Sequence, residues 1–94
     1  MISKKDSIER EVQNVLQNLE EYSFPAMLIL LREAYSLSLK TVSKDLNLPY
    51  QKYYFWENGE FYNHRWPTDD QVKDLAQYYE IPVNLIRNKL LEMK

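Results

Sequence analysis

Apolar residues recur at helical spacing along most of this 94-residue chain. Between residues 3 and 22 they follow steps of three and four residues, which predicts an amphipathic helix. Ser3 and Asp6 form a candidate capping box at its start. Its apolar stripe consists of Ile8, Val12, Val15, Leu16 and Leu19. This helix either packs on the core of its own domain or provides a dimerisation or partner-binding surface.

A joint at Pro25 separates this segment from the next one, because proline fits the first turn of a new helix. Residues 26–35 are apolar on nearly all sides, which is typical of a helix covered on two faces. The joint divides the chain into an N-terminal amphipathic extension, residues 1–23, and a main unit, residues 24–94. The two parts are expected to form a single compact unit.

Two short helices joined by a tight turn are predicted between residues 37 and 59. Ser38 is a good N-cap for the first, because its hydroxyl can accept a hydrogen bond from an orphan backbone N–H. Asn47 lies where that helix must stop, since asparagine tolerates the left-handed conformation of a C-terminal cap. Pro49 fits the first turn of the next helix, residues 50–58, where its missing N–H costs nothing.

Two further helices complete the pattern. Thr68 and Gln71 form a second capping box, and the stripe that follows consists of Val72, Leu75, Ala76 and Tyr79. Pro82 ends this helix, and residues 83–93 are predicted to form the last one. The residues that it offers for packing are Leu85, Ile86, Lys89, Leu90 and Met93.

Residues 31–85, just over half of the chain, resemble the helix-turn-helix domain of the Cro/C1 repressor family, also called the XRE family. The matching positions are Leu31-Arg32, Ser38, Val42-Ser43, Leu46-Asn47-Leu48, Tyr53, Trp56, Glu57-Asn58-Gly59, Pro67 and Leu75-Ala76. The Glu-Asn-Gly ending at this spacing is fairly specific. The resemblance implies an all-α, five-helix, lambda-repressor-like domain, here preceded by an extra N-terminal helix.

Double-stranded DNA is the partner that the resemblance implies, with the third helix inserted in the major groove. Carried over by position, the base-reading residues are Tyr50, Gln51 and Phe55, with Tyr54 at the edge. Gln51 suits this task, because its amide can donate to and accept from adenine.

The resemblance also implies a homodimer, with two such helices about one duplex turn apart on a palindromic site. In the family the residues after the fourth helix often build the dimer contact. Here Leu90, Leu91 and Met93 either do so or cover the core of their own chain.

The third helix is expected to turn Tyr53 and Trp56 inward. At roughly 100° per residue, this orientation points Gln51, Phe55 and Asn58 outward. Phosphate contacts set the register of a protein on DNA without carrying sequence information. The residues assigned to them are Ser38, Lys40, Lys44, Lys52, Asn58, His64 and Arg65.

The chain departs from the family at three places. Leu39 stands where a phosphate-bridging glutamine is frequent, Asn47 replaces the usual turn glycine, and aromatic residues fill most base-reading positions. The net charge is −2, although residues 32–65 contain five Lys or Arg against four Asp or Glu. The expected interface is thus the least acidic part of an acidic chain, which predicts weak non-specific DNA binding.

The link between the third and fourth helices is long and aromatic. Eight of the seventeen residues from 50 to 66 are Phe, Trp or Tyr. In one interpretation, Phe61 and Trp66 pack on the rim of the core. In the second, Tyr62, His64 and Arg65 touch the DNA backbone. In the third, the aromatic residues form a patch that binds protein, because Tyr, Trp and Arg dominate interface hot spots.

Composition argues against catalysis. The chain has no cysteine and a single histidine, so a metal site built from these residues is not expected, and no cofactor is implied. No Gly-rich phosphate loop or nucleophile turn occurs. No signal peptide or membrane span is recognisable, which favours the cytoplasm. The sequence therefore predicts a repressor-like transcriptional regulator of bacterial or phage type. The alternative is a module of the same fold, an antitoxin or a regulator of another protein, that binds protein through residues 50–66.

Overall fold

The computed structural model describes residues 18–61 and 66–93, which form a 3-10 turn and five α-helices, with no strand among these residues. The turn spans Leu19–Glu21. The helices are α1 (Phe24–Ala34), α2 (Leu39–Asp45), α3 (Tyr50–Asn58), α4 (Asp69–Tyr79) and α5 (Val83–Met93). The expected all-α class is confirmed, and α3 and α5 have the bounds that the sequence predicts.

Side-chain caps determine where three of the helices begin. Ser38 Oγ accepts a hydrogen bond from the Thr41 backbone N–H at 3.0 Å, which confirms its predicted role at the start of α2. Thr68 and Gln71 form the predicted reciprocal capping box of α4. Ser23 caps α1, so this helix begins at Phe24, and Pro25 lies in its first turn as predicted. Each cap satisfies an N–H that the helix itself leaves unpaired.

Residues with left-handed backbone conformations end several of the helices. Asn47 has a φ of 55° after α2, as predicted for an asparagine at this position. Gly59 ends α3 with a φ of 72°, a conformation that costs glycine little because it lacks a Cβ. Pro49 is the N-cap of α3 and precedes its first turn, so the prediction that places it inside that turn is wrong by one position.

The core forms where α3 packs on α1 and α2, α5 packs on α1, and α4 packs on α5. The stripe predicted for α4 is buried throughout. Leu90 is buried in α5, so of the two roles left open for it, it covers its own core, whereas Leu91 is exposed. The core residues are Leu19, Phe24, Met27, Leu28, Leu31, Val42, Tyr53, Trp56, Val72, Leu75, Ala76, Tyr79, Ile81, Ile86 and Leu90.

The end of the N-terminal extension packs on the same core. Leu19 is fully buried, and the Lys89 ammonium of α5 donates a hydrogen bond to the Tyr22 carbonyl. The predicted helix does not continue through residue 22, because Leu19–Glu21 is a 3-10 turn and Tyr22 is extended. The extended backbone lets Ser23 start α1. The earlier residues of the predicted helix, including its capping box, lie outside the described residues.

Aromatic packing closes the rim of the core beside α1. The rings of Phe61 and Trp66 stack with their centroids 4.5 Å apart, and Phe61 also lies 5.9 Å from Phe24. This arrangement confirms the first of the three interpretations of the link for these two residues. Tyr62, His64 and Arg65 lie outside the described residues.

Candidate nucleic-acid interface

The outward face of α3 carries two stacked tyrosines. The Tyr50 and Tyr54 rings lie 6.3 Å apart at an interplanar angle of 16°, as expected for neighbours four residues apart on a helix. They are 48% and 40% exposed, and Gln51 beside them is also exposed. An exposed amide therefore lies beside two exposed, stacked aromatic side chains in the first two turns of the helix.

The inward face of α3 anchors the helix to the rest of the fold. Tyr53 and Trp56 are fully buried, as predicted, and their rings pack edge to face at 6.1 Å. The Tyr53 hydroxyl shares a 2.6 Å hydrogen bond with the Tyr79 hydroxyl of α4. Burial raises the pKa of both phenols above the usual value for tyrosine. Both phenols are therefore neutral, and their hydrogen bond fixes α3 relative to α4.

The side chains of Phe55 and Asn58 are less available for contact with DNA than the sequence predicts. Phe55 is half-buried, and its ring packs edge to face on Tyr54 at 5.9 Å. Asn58 is exposed, but its side-chain N–H₂ donates to the Tyr54 carbonyl at 2.8 Å, within the last turn of the helix. The outward surface is consequently carried mainly by Tyr50, Gln51 and Tyr54.

A buried ion pair joins α1 to the C-terminal turn of α3. Arg32 Nε donates to Glu57 Oε2 at 2.8 Å, and Arg32 Nη1 donates to the Leu37 carbonyl at 2.9 Å. The hydrogen bond with Glu57 raises the pKa of Arg32. One guanidinium thus holds α3 and the loop before α2 in place. Sequence reasoning missed this pair, because nothing in one sequence indicates that residues 25 positions apart are neighbours.

The lysines of α2 differ from the lysine of α3. Lys40 and Lys44 are exposed on α2, which packs against α3. Lys52 is half-buried, and its ammonium lies 6.0 Å from the centroid of the Trp56 ring, at the range of a cation–π contact. Lys40 and Lys44 are therefore better placed than Lys52 to meet a phosphate.

Polar contacts hold the two ends of α2. Ser38 Oγ, besides capping the helix, donates to Thr41 Oγ1 at 2.9 Å, so its hydroxyl proton is engaged within the cap. At the other end, the Tyr78 hydroxyl of α4 donates to Asp45 Oδ2 at 2.7 Å. Burial, followed by this hydrogen bond, raises the pKa of Tyr78. The contacts of Ser38 therefore stay within the cap of α2, and the Tyr78–Asp45 bond joins the other end of α2 to α4.

The structure brings Tyr50, Gln51 and Tyr54 together on one exposed surface, which we call the outer face of α3. His64 and Arg65 lie outside the described residues. Among the residues that are described, no group of three His, Cys, Asp or Glu side chains is arranged to hold a metal ion. No helix in residues 18–61 and 66–93 is long and apolar enough to cross a membrane.

Comparison with protein-family models, curated proteins and solved structures found no match to this chain. The resemblance to the Cro/C1 family therefore stays a prediction from the sequence.

Proposed function

We propose that this protein is a sequence-specific DNA-binding regulator with a lambda-repressor-like helix-turn-helix arrangement, in which α2 and α3 are the paired helices. In this proposal α3 enters the major groove and its outer face contacts base edges. The observation that carries the proposal is the two-sidedness of α3, which is fully buried at Tyr53 and Trp56 and exposed at Tyr50, Gln51 and Tyr54.

The electrostatics of α3 support an approach to DNA. Glu57 is the single acidic residue in the helix, and it is buried against Arg32. A carboxylate in such a pair presents little negative charge to a phosphate backbone. Lys40 and Lys44 on the adjacent helix supply exposed positive charge. The local charge therefore opposes DNA binding less than the net charge of −2 suggests.

A two-fold dimer is part of the proposal, because two copies of α3 about 34–36 Å apart would read successive turns of a palindromic site. Leu91, exposed on α5 beside the groove that Pro67, Val72 and Leu90 line, is a candidate for this contact. The proposal involves no catalytic step and no cofactor.

A second candidate function is protein binding through the same aromatic face. The exposed, stacked rings of Tyr50 and Tyr54 favour it, since tyrosine is enriched at interface hot spots. In that case the outer face of α3 would meet a partner protein, as in an antitoxin or a regulator of another protein.

A salt titration with duplex DNA separates the two functions. Phosphate contacts release counterions, so affinity for DNA should fall steeply as salt rises. Absence of any duplex binding at low salt would exclude the proposal and favour the protein-binding function. Selection of binding sites from random duplexes with the purified protein would then give the half-site sequence and the spacing.

Two matched variants test the roles of individual residues. Gln51→Ala should lower discrimination at one base pair by about 1–3 kcal/mol. Lys44→Ala should weaken binding to all duplexes evenly and reduce the slope of the salt dependence by about 1. Quantitative binding to the selected site and its single-base variants measures both. If the two variants had the same effect on every duplex, the assigned roles would be wrong.

A further inference from the structure

We infer that the outer face of α3 reads A·T base pairs, with the rings of Tyr50 and Tyr54 against thymine C5-methyl groups and the Gln51 amide on adenine. This inference rests on the proposed DNA-binding function and adds the class of base pair that the site selects.

The outer face of α3 exposes more apolar surface than most of the described chain. Tyr22, Tyr50, Tyr54 and Leu91 are the large hydrophobic side chains exposed within the described part of the chain. Two of these four lie side by side on the face proposed to enter the groove, with their rings nearly parallel. The thymine methyl is the apolar group that the major groove presents, so it is the natural contact for these rings.

The hydrogen-bonding groups of the face give the second argument. Arginine and lysine are the usual readers of guanine, but α3 contains no arginine, and its one lysine, Lys52, lies against the Trp56 ring. A carboxylate can read cytosine, but Glu57 is buried in its pair with Arg32. The groups that favour G·C pairs are therefore missing from the outer face or engaged within the fold.

Gln51 gives the third argument. Gln51 is exposed on α3 beside the two tyrosines, and a glutamine amide can bind adenine in a bidentate manner, because its N–H₂ donates to N7 and its carbonyl oxygen accepts from N6–H₂. Adenine and thymine are partners in one base pair, so the amide and the rings favour the same base-pair class. The combined face fits a short A·T run better than a mixed sequence.

The test begins with site selection and then removes single methyl groups. Uracil differs from thymine only by the missing C5-methyl, so a duplex with uracil in the half-sites keeps every hydrogen-bonding group. We expect affinity to fall roughly fourfold for each contacted methyl, because this is the effect of losing one buried carbon group from an apolar contact. Uracil at thymines outside the half-sites is the matched control and should leave affinity unchanged.

Variants of Tyr54 and Tyr50 test whether their rings make the contact with the thymine methyl. Tyr54→Ala should weaken binding to the thymine duplex and lower the thymine-to-uracil affinity ratio, whereas Tyr54→Phe, which keeps the ring, should preserve the ratio. The double variant Tyr50→Ala/Tyr54→Ala removes both rings and should bring the ratio close to one. Circular dichroism and thermal unfolding verify that these surface variants fold.

The possible results distinguish failure of A·T reading from failure of the proposed DNA-binding function. Selected half-sites dominated by G·C pairs, or equal affinity for thymine and uracil duplexes, would overturn A·T reading while salt-dependent DNA binding stands. Absence of salt-dependent duplex binding would overturn the proposed function, and A·T reading with it. Half-sites rich in A·T, with a uracil effect that disappears in the alanine variants, would support both.

Discussion

The two faces of α3 are built from the same kinds of side chain and have opposite environments. Tyr53 is fully buried and hydrogen-bonded to Tyr79, while the next residue, Tyr54, is 40% exposed and stacked on Tyr50. A step of about 100° around the helix separates the two. Residue type therefore does not decide what a tyrosine does here. Its angular position relative to α1, α2 and α4 decides it.

This difference separates stability from recognition. Substitutions on the inward face should change the free energy of unfolding, because they remove packed area or leave polar groups unpaired. Substitutions on the outer face should leave stability nearly unchanged and act on binding.

The largest effect is expected for Trp56→Ala. Its side chain is fully buried between α3 and the core, and truncating such a residue costs about 3–5 kcal/mol in free energy of unfolding. Urea unfolding followed by circular dichroism measures this loss. Tyr54→Ala is the matched control, since it removes an exposed ring from the same helix and should stay within about 0.5 kcal/mol of the parent protein. Comparable losses for the two variants would contradict the assignment of the faces.

The next effect concerns the pair between Arg32 and Glu57. Glu57→Ala leaves the guanidinium without its carboxylate, and breaking a buried pair costs about 3–5 kcal/mol. The lower end of that range is expected, because the Arg32 side chain keeps 17% of its exposure to water. The double variant Arg32→Ala/Glu57→Ala should lose less than the sum of the single changes. Strict additivity in urea unfolding would mean that the two side chains do not interact.

The smallest effect is an alkaline loss of stability through Tyr53 and Tyr79. Their pKa values are raised in the folded state, while tyrosine in the unfolded chain titrates near pH 10. Their contribution is therefore fully present below about pH 10 and decreases as pH rises further, by up to about 1.4 kcal/mol per pH unit for each phenol.

The double variant Tyr53→Phe/Tyr79→Phe tests this pH dependence. It removes both hydroxyls together, so it leaves neither without a partner and should be nearly neutral at pH 7. Denaturant unfolding at a series of pH values above 9 should show a shallower decline than in the parent protein. Parallel curves for the two proteins would show that these phenols do not control alkaline unfolding.

Local signals in the sequence were sufficient for α3 and for the caps of α2 and α4. The bounds of α3, the cap at Ser38 and the capping box at Thr68 depend on residues within three or four positions of one another. These features are predictable because the side chains and the backbone groups they serve are neighbours in the chain.

Long-range contacts could not be predicted from local signals in the sequence. The Arg32–Glu57 pair and the Tyr53–Tyr79 hydrogen bond join residues about 25 positions apart, and no local rule connects them. The partial burial of Phe55 and the contact of Lys52 with Trp56 depend on how neighbouring side chains settle around α3. In the outer face, the sequence therefore indicated which residues turn outward but not how far each is exposed.

The bond between Lys89 and the Tyr22 carbonyl spans 67 positions of the chain and brings the first and last described turns together. A change made at one terminus should for this reason be felt at the other. Shortening α5 before Lys89 should loosen the 3-10 turn at Leu19–Glu21 even though that turn is intact in sequence. A truncation that removes Lys89 is accordingly not neutral for the 3-10 turn at the other end of the described fold.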